Sequence, residues 1–190
     1  SASKYRAASL QRLGLNFSQR PSAIDETPRI GETPASLAAR LAQEKARSLI
    51  ATYANCIIIG CDQTGSCNGR LLHKPGSVLA AQDQLAHLSG QRATFYTAMT
   101  VIHVLNGAVK TLTHDLDTTQ LQLRTLSHEQ ITAYIAQDNP IDCAGSFKIE
   151  SLGIILFDAV QTSDPSALEG ISLIQLTSRL LDLGVRLGAA

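Results

Sequence analysis

Excess charge is the first thing this chain lacks: 16 Lys and Arg balance 16 Asp and Glu. A neutral chain has no broad field to draw it to nucleic acid or to an anionic membrane. An anionic ligand therefore has to be met by a few placed cations. No apolar run is long enough to span a membrane, and no leader-like segment opens the chain. The four cysteines, Cys56, Cys61, Cys67 and Cys143, form no CxxC pair and no Cys/His ligand spacing. A reducing cytoplasm is the simplest setting for them. The five histidines show no paired spacing, and Ser–His–Asp chemistry has no local support. Internal repeats and low-complexity tracts are also missing. The chain opens at Ser1 rather than at an initiator Met, which leads us to expect something upstream.

What is present centres on Cys56-Ile57-Ile58-Ile59-Gly60-Cys61-Asp62-Gln63. Three β-branched residues in a row predict a strand buried on both faces. Gly60 reads as freeing the backbone just before Asp62, ahead of the polar run 64–69. A carboxylate where a core strand ends is where open α/β sheets place their chemistry, although an Asp that merely turns the chain looks the same.

Around it, residues 4–13 read as a helix capped by Ser3, and 15–18 as a short strand. Thr33-Pro34 starts a helix that keeps its apolar spacing to residue 53. Residues 71–76 read as a brief strand ending in a turn, and a helix at 77–89 precedes a strand at 93–105. Asn106-Gly107 signals a hairpin whose return covers 108–113, with 119–123 extending it. Ser127 to Gln130 resembles a capping box. A strand at 154–160 and a helix at 171–183 close the chain. The alternation of helix and strand indicates a mixed α/β fold.

Singly, the polar residues read both ways. Ser1, Ser3 and Arg6 at a helix start can grip a phosphate or simply cap the helix. Lys45 on an amphipathic helix is the pattern of a solvated charge. Lys74 before Pro75 is held by a rigid turn, as a ligand-binding loop lysine would be. Glu26, in an acidic Pro-broken loop, has the chemistry to join Asp62 in holding a divalent cation. The segment from Cys143 to Glu150, with small residues and Gly beside one aromatic, suits a wall against a flat ligand or an ordinary turn.

Taken as a set, the residues carry a resemblance. Asp25-Glu26-Thr27-Pro28, Leu41-Ala42-Gln43-Glu44-Lys45-Ala46, Ile59-Gly60-Cys61-Asp62-Gln63, Lys74-Pro75, Leu88-Ser89-Gly90 and Cys143 to Glu150 follow one another as in a single family. The chain resembles the Maf (septum-formation inhibitor) family of nucleoside triphosphate pyrophosphatases across nearly its whole length. Asp62-Gln63 with Cys143-Ala144-Gly145-Ser146-Phe147-Lys148 looks like the subgroup that acts on 7-methyl-GTP.

The resemblance implies a Maf-like α/β domain over 1–190, with a mixed, twisted sheet flanked by helices and two lobes enclosing a cleft. It implies cleavage of the α–β anhydride of a nucleotide with Mg²⁺, Mn²⁺ or Co²⁺, in the cytoplasm, and it admits a homodimer. Asp62 matches the catalytic carboxylate. Ser1, Ser3, Arg6, Lys45 and Lys74 match phosphate-binding positions, and Glu26 with Asp62 the metal positions. Tyr5, Gln63 and Glu150 match specificity positions.

These roles are physically coherent. N7-methylation makes guanine cationic, so a Tyr5 ring face would attract it by about 0.5–2 kcal/mol. Glu150 would accept from the guanine N1–H and amino group, and an edge-reading site of that kind discriminates by about 10⁴ or more. The chain departs from the family in several places. The family's first strand is absent before Ser1, Ala7 follows Arg6 where a second basic residue is usual, and Tyr5 stands for a tryptophan. Glu169 to Leu173 lacks a proline common in the family. Two rival readings follow: a broader dTTP/UTP or modified-nucleotide pyrophosphatase, and a non-hydrolytic nucleotide-binding regulator of cell division.

Overall fold

Side chains of an extended strand alternate between faces, and in Cys56–Cys67 (β1) that alternation decides what packs where. The computed structural model describes residues 3–188. Ile57, Ile59 and Cys61 share the face that meets Ile171, Leu176 and Leu180, the last two on the helix Leu173–Asp182. Ile58 and Gly60 share the opposite face, against the helix Pro34–Arg47 and its Ala42 and Ala46. Asp62 has the parity of Ile58 and Gly60, and Gln63 that of Cys61.

Among the described residues one five-stranded sheet forms. It comprises β1, Arg70–Leu72 (β2), Arg92–Leu105 (β3), Ala108–Leu123 (β4) and Phe157–Gln161 (β5), in the order β2-β1-β3-β4-β5. The flanking helices are Lys4–Gln11 (α1), Pro34–Arg47 (α2), Val78–Leu88 (α3), His128–Asp138 (α4) and Leu173–Asp182 (α5). The expected α/β architecture, a sheet flanked by helices, is the one formed. Its strands run antiparallel, so the mixed directions anticipated are not seen among the described residues. β2 pairs with β1 only over Gly65 to Cys67. An apolar cavity of about 470 Å³ borders the first half of β1, lined by Leu10, Leu15, Phe17, Ile57, Ile59 and Val185. No helix among the described residues is long and apolar enough to cross a membrane.

Local chemistry fixes the ends of the elements. Thr33 accepts from the Ser36 N–H (3.2 Å) at the start of α2, with Pro34 in the first turn. Ser127 and Gln130 close a reciprocal capping box on α4. Asn106 and Gly107 take positive φ (53° and 75°), the hairpin turn that matches strand twist.

Five expectations are corrected. β1 runs on to Cys67, so Asp62 lies inside the strand and not at its end. Gly60 and Gly65 are places of close approach: a Cβ would stand 2.3 Å from the Ala42 carbonyl oxygen at Gly60, and 2.7 Å from the Phe95 ring at Gly65. Residues 15–18 form no strand; they line the cavity instead. α2 stops at Arg47, and β-branched Ile50 and Thr52 continue as a 3₁₀ turn. Residues 152–156 also form a 3₁₀ turn, with the Gly153 N–H tied to the Lys148 carbonyl (2.9 Å), and β5 begins only at Phe157.

The chain divides into two compact units. One holds Ser1–Gln63, Thr97–Asp117 and Asp164–Ala190; the other holds Thr64–Tyr96 and Thr118–Ser163. The first is built on the two faces of β1 described above. The second packs α3 against α4 and centres on Phe147, whose ring meets Phe95 and Phe157 edge-on at 5.3 and 5.0 Å.

Candidate active site

In the first unit three sequence-distant residues meet. Because Asp62 has the parity of Gly60, it points to the helix that Gly60 admits, and that helix carries Lys45. The Lys45 ammonium donates to Asp62 Oδ1 at 2.6 Å and pairs with Glu26 Oε1 at 2.7 Å. Asp62 is buried, with only 7% of its surface exposed, whereas 58% of the Glu26 side chain is open to solvent. Burial pushes the Asp62 carboxyl above its usual range, against the opposing pull of Lys45 and, behind it, of Arg6. A carboxylate in that state is a better proton acceptor than an exposed one.

The loop that carries Glu26 is tied to α2 by a network the sequence reading missed. Arg40 forks onto Glu32 at 2.6 and 2.9 Å, reaches Glu44 at 3.1 Å and donates to the Thr27 carbonyl at 3.1 Å. Arg29 donates to the other Glu44 oxygen at 3.0 Å. The hydrogen-bonded Arg40 guanidinium holds the Glu32 carboxyl down at about 2. Only the Arg40–Glu44 spacing of four, a helical pair, was available as a signal.

Arg6 and Gln63 engage one turn of the same unit, at 165–170. Arg6 Nε donates to the Gly170 carbonyl at 2.9 Å, and Gly170 takes a φ of +97° in presenting it. Gln63 Nε2 donates to Thr97 Oγ1 and to the Ala167 carbonyl, both at 2.9 Å. Thr97 in turn donates to Ala167, which fixes the orientation of the Gln63 amide. With both amide protons so directed, a ligand contact of Gln63 would run through Oε1, an acceptor. Ser3 caps α1 by accepting from the Arg6 N–H at 3.4 Å. The Tyr5 ring holds the Lys4 ammonium 4.9 Å from its centroid. Ser1 lies outside the described residues.

The second unit carries the other two predicted residues. Lys74 is exposed just before Gly76, whose N–H is fixed by the Ile141 carbonyl at 2.9 Å. Glu150 is exposed at the end of the Cys143-to-Glu150 segment. That segment turns through two positive-φ residues, Gly145 (80°) and Ser146 (60°).

The structure thus brings Glu26, Lys45 and Asp62 into direct contact. A divalent cation fits this pair of carboxylates. Both oxygens sit beside one ammonium, at 2.7 and 2.6 Å, so they are at most 5.3 Å apart. Carboxylate oxygens are the hard ligands a divalent cation takes, and two of them can share one ion when they lie within about 4–5 Å of each other. Among the described residues no cluster of three or more His, Cys, Asp or Glu is arranged to hold a metal.

A family model described as "Maf-like protein" matches residues 1–183. The 7-methyl-GTP pyrophosphatase of Xanthomonas oryzae pv. oryzae (strain MAFF 311018) is 43% identical over 187 residues, which is 98% of this chain and 96% of that protein. The protein of the same name from Hahella chejuensis (strain KCTC 2396) is 42% identical over 189 residues, covering 98% and 93%. The one from Bordetella pertussis (strain Tohama I / ATCC BAA-589 / NCTC 13251) is 42% identical over 185 residues, covering 97% and 90%.

Proposed function

This chain belongs to the Maf-like protein family, and we propose that it hydrolyses 7-methyl-GTP to 7-methyl-GMP and pyrophosphate, clearing a modified nucleotide from the cytoplasmic pool. The observation that carries the reading is the buried Asp62 carboxylate, raised in proton affinity and joined through Lys45 to Glu26. As the α–β bridge breaks, one proton of the attacking water passes to Asp62, and pyrophosphate leaves with the bridging oxygen. A divalent cation held by Glu26 and Asp62 would neutralise phosphate charge and polarise the oxygens. Lys45, Arg6, Lys74, Ser3 and Ser1 are assigned the remaining phosphate contacts, since a triphosphate needs several donors where charge develops.

Glu150 is assigned the guanine edge. Tyr5 is assigned the methylated ring, whose positive charge would take the place of the Lys4 ammonium on the aromatic face. Gln63 is assigned a base or sugar donor through Oε1.

The test is pyrophosphate release from 7-methyl-GTP, GTP, dTTP and UTP with Mg²⁺, Mn²⁺ or Co²⁺. We expect 7-methyl-GTP to be preferred, Asp62→Asn to abolish turnover with binding largely kept, and Glu150→Gln to erode the guanine preference. Preferential turnover of dTTP or UTP would replace this reading with the broader pyrophosphatase. Calorimetric binding without any pyrophosphate would replace it with the non-hydrolytic regulator. A homodimer is the assembly we assign, and sedimentation equilibrium tests it.

A further inference from the structure

We propose that Tyr134, Asp138 and Lys148 form a clamp that positions Glu150 and so sets base selectivity; the proposal rests on the assignment of Glu150 to the guanine edge. The observations all lie in the second unit. The Lys148 ammonium donates to the carbonyl of Asp138 at 2.5 Å. Asp138 is the last residue of α4, where helix carbonyls lack partners and the helix end is negative. The Lys148 N–H donates to the buried Tyr134 hydroxyl at 3.1 Å. Burial pushes that phenol far above its usual range, so it stays protonated.

The other end of the turn is fixed to the same helix. The Ser151 hydroxyl donates to Asp138 Oδ1. The Lys148 carbonyl accepts from the Ser151 N–H (3.3 Å) and the Gly153 N–H (2.9 Å). Gly153 has no room for a side chain, because a Cβ would stand 2.3 Å from that carbonyl oxygen. Phe147, one residue earlier, is locked between two aromatic rings. Residues 147, 148, 151 and 153 are therefore held, and Glu150 projects from the short span between them. The Asp138 carboxylate, moreover, stands close enough to the Tyr134 hydroxyl to add to the rise of that phenol, so helix end, phenol and turn meet at one point.

The experiment compares kcat/KM for 7-methyl-GTP and UTP in Tyr134→Phe, Lys148→Met and Lys148→Arg, each with and without Glu150→Gln. The isosteric Tyr134→Phe keeps the test alive if Lys148→Met fails to fold. We expect the selectivity ratio to fall about tenfold in Tyr134→Phe and Lys148→Met. Lys148→Arg, which can still donate to the Asp138 carbonyl, should recover most of it. Neither loss should add to that of Glu150→Gln, as for residues acting as one unit. An equal fall on both nucleotides, or a full additional loss on the Glu150→Gln background, overturns the clamp. If Glu150→Gln alone leaves the ratio unchanged, the assignment of Glu150 fails instead. Hydrogen exchange then judges the clamp by itself: Tyr134→Phe should speed exchange at the Lys148, Ser151 and Gly153 amides, and unchanged protection there overturns it.

Discussion

Replacing Gly60 by Ala adds one methyl group at the contact on which the site depends. The new Cβ would lie 2.3 Å from the Ala42 oxygen, 2.7 Å from the Ala46 nitrogen and 2.8 Å from the Ala46 Cβ. Ordinary carbon–oxygen contacts begin near ~3.3 Å, so α2 has to retreat by about 1 Å. The obstructing atoms are mostly helix backbone, which no rotamer change can move aside. Overpacking of this kind costs about 1–3 kcal/mol, which in a domain of this size lowers Tm by about 2–12 °C. The same retreat carries Lys45 away from Asp62. The contact of 2.6 Å opens toward about 3.6 Å, past hydrogen-bond range. A misplacement of ~1 Å at a reacting centre costs about 10²-fold in turnover. Differential scanning calorimetry and a pyrophosphate-release assay on the purified variant read both effects. A Gly60→Ala protein with wild-type Tm would refute the packing of α2 on β1. One with lowered Tm and full turnover would refute the dependence of chemistry on the Lys45–Asp62 contact.

Asp62→Asn should raise stability at neutral pH while removing turnover. The folded carboxyl titrates above its ordinary 3.8, so its favourable contribution exists below that value and is lost as pH rises through the folded one; a lower Tm than wild type at pH 7 would contradict this. Glu32 has the opposite sign: its contribution is present above the ordinary 4.5 and disappears as pH falls toward about 2. Glu32→Gln should mimic that loss at neutral pH by loosening the loop that holds Glu26. Mn²⁺ affinity by calorimetry should weaken, and an unchanged affinity would remove the Arg40 network from metal binding. Phe147→Ala should cost about 3–5 kcal/mol in urea unfolding, as for a large aromatic deleted from a core; a loss under 1 kcal/mol would mean the three rings are not packed as described.

What could be read from the sequence was local. The caps at Ser3, Thr33 and Ser127 and the Asn106-Gly107 turn are short-range hydrogen-bonding and φ preferences, and each is found where the residues place it. Gly60 was misread because a glycine that frees the backbone and one that makes room for a neighbour look alike in a chain. Only the position of Ala42 separates them. The Glu26–Lys45–Asp62 contact was visible through family likeness alone, since Lys45 is seventeen residues from Asp62 and neither has a local reason to find the other. The anchoring of Arg6 to Gly170, 164 residues away, left no mark that periodicity or spacing could show.

The groups we assign to the site come from separate elements, and each is seated by contacts outside that assignment. Glu26 depends on the Arg40–Glu32 fork, Lys45 on the absence of a side chain at Gly60, and Arg6 on the Gly170 carbonyl. Asp62 is the exception, because its place inside β1 both fixes it and strips it of water. The burial that makes it a stronger base also weighs against the folded state once it ionises. Stability and turnover should therefore fall together at Gly60, where geometry is lost, and move in opposite directions at Asp62, where the charge itself is the burden. A single mechanism of general destabilisation cannot produce both signs, so the pair of variants separates a seated base from a merely buried acid.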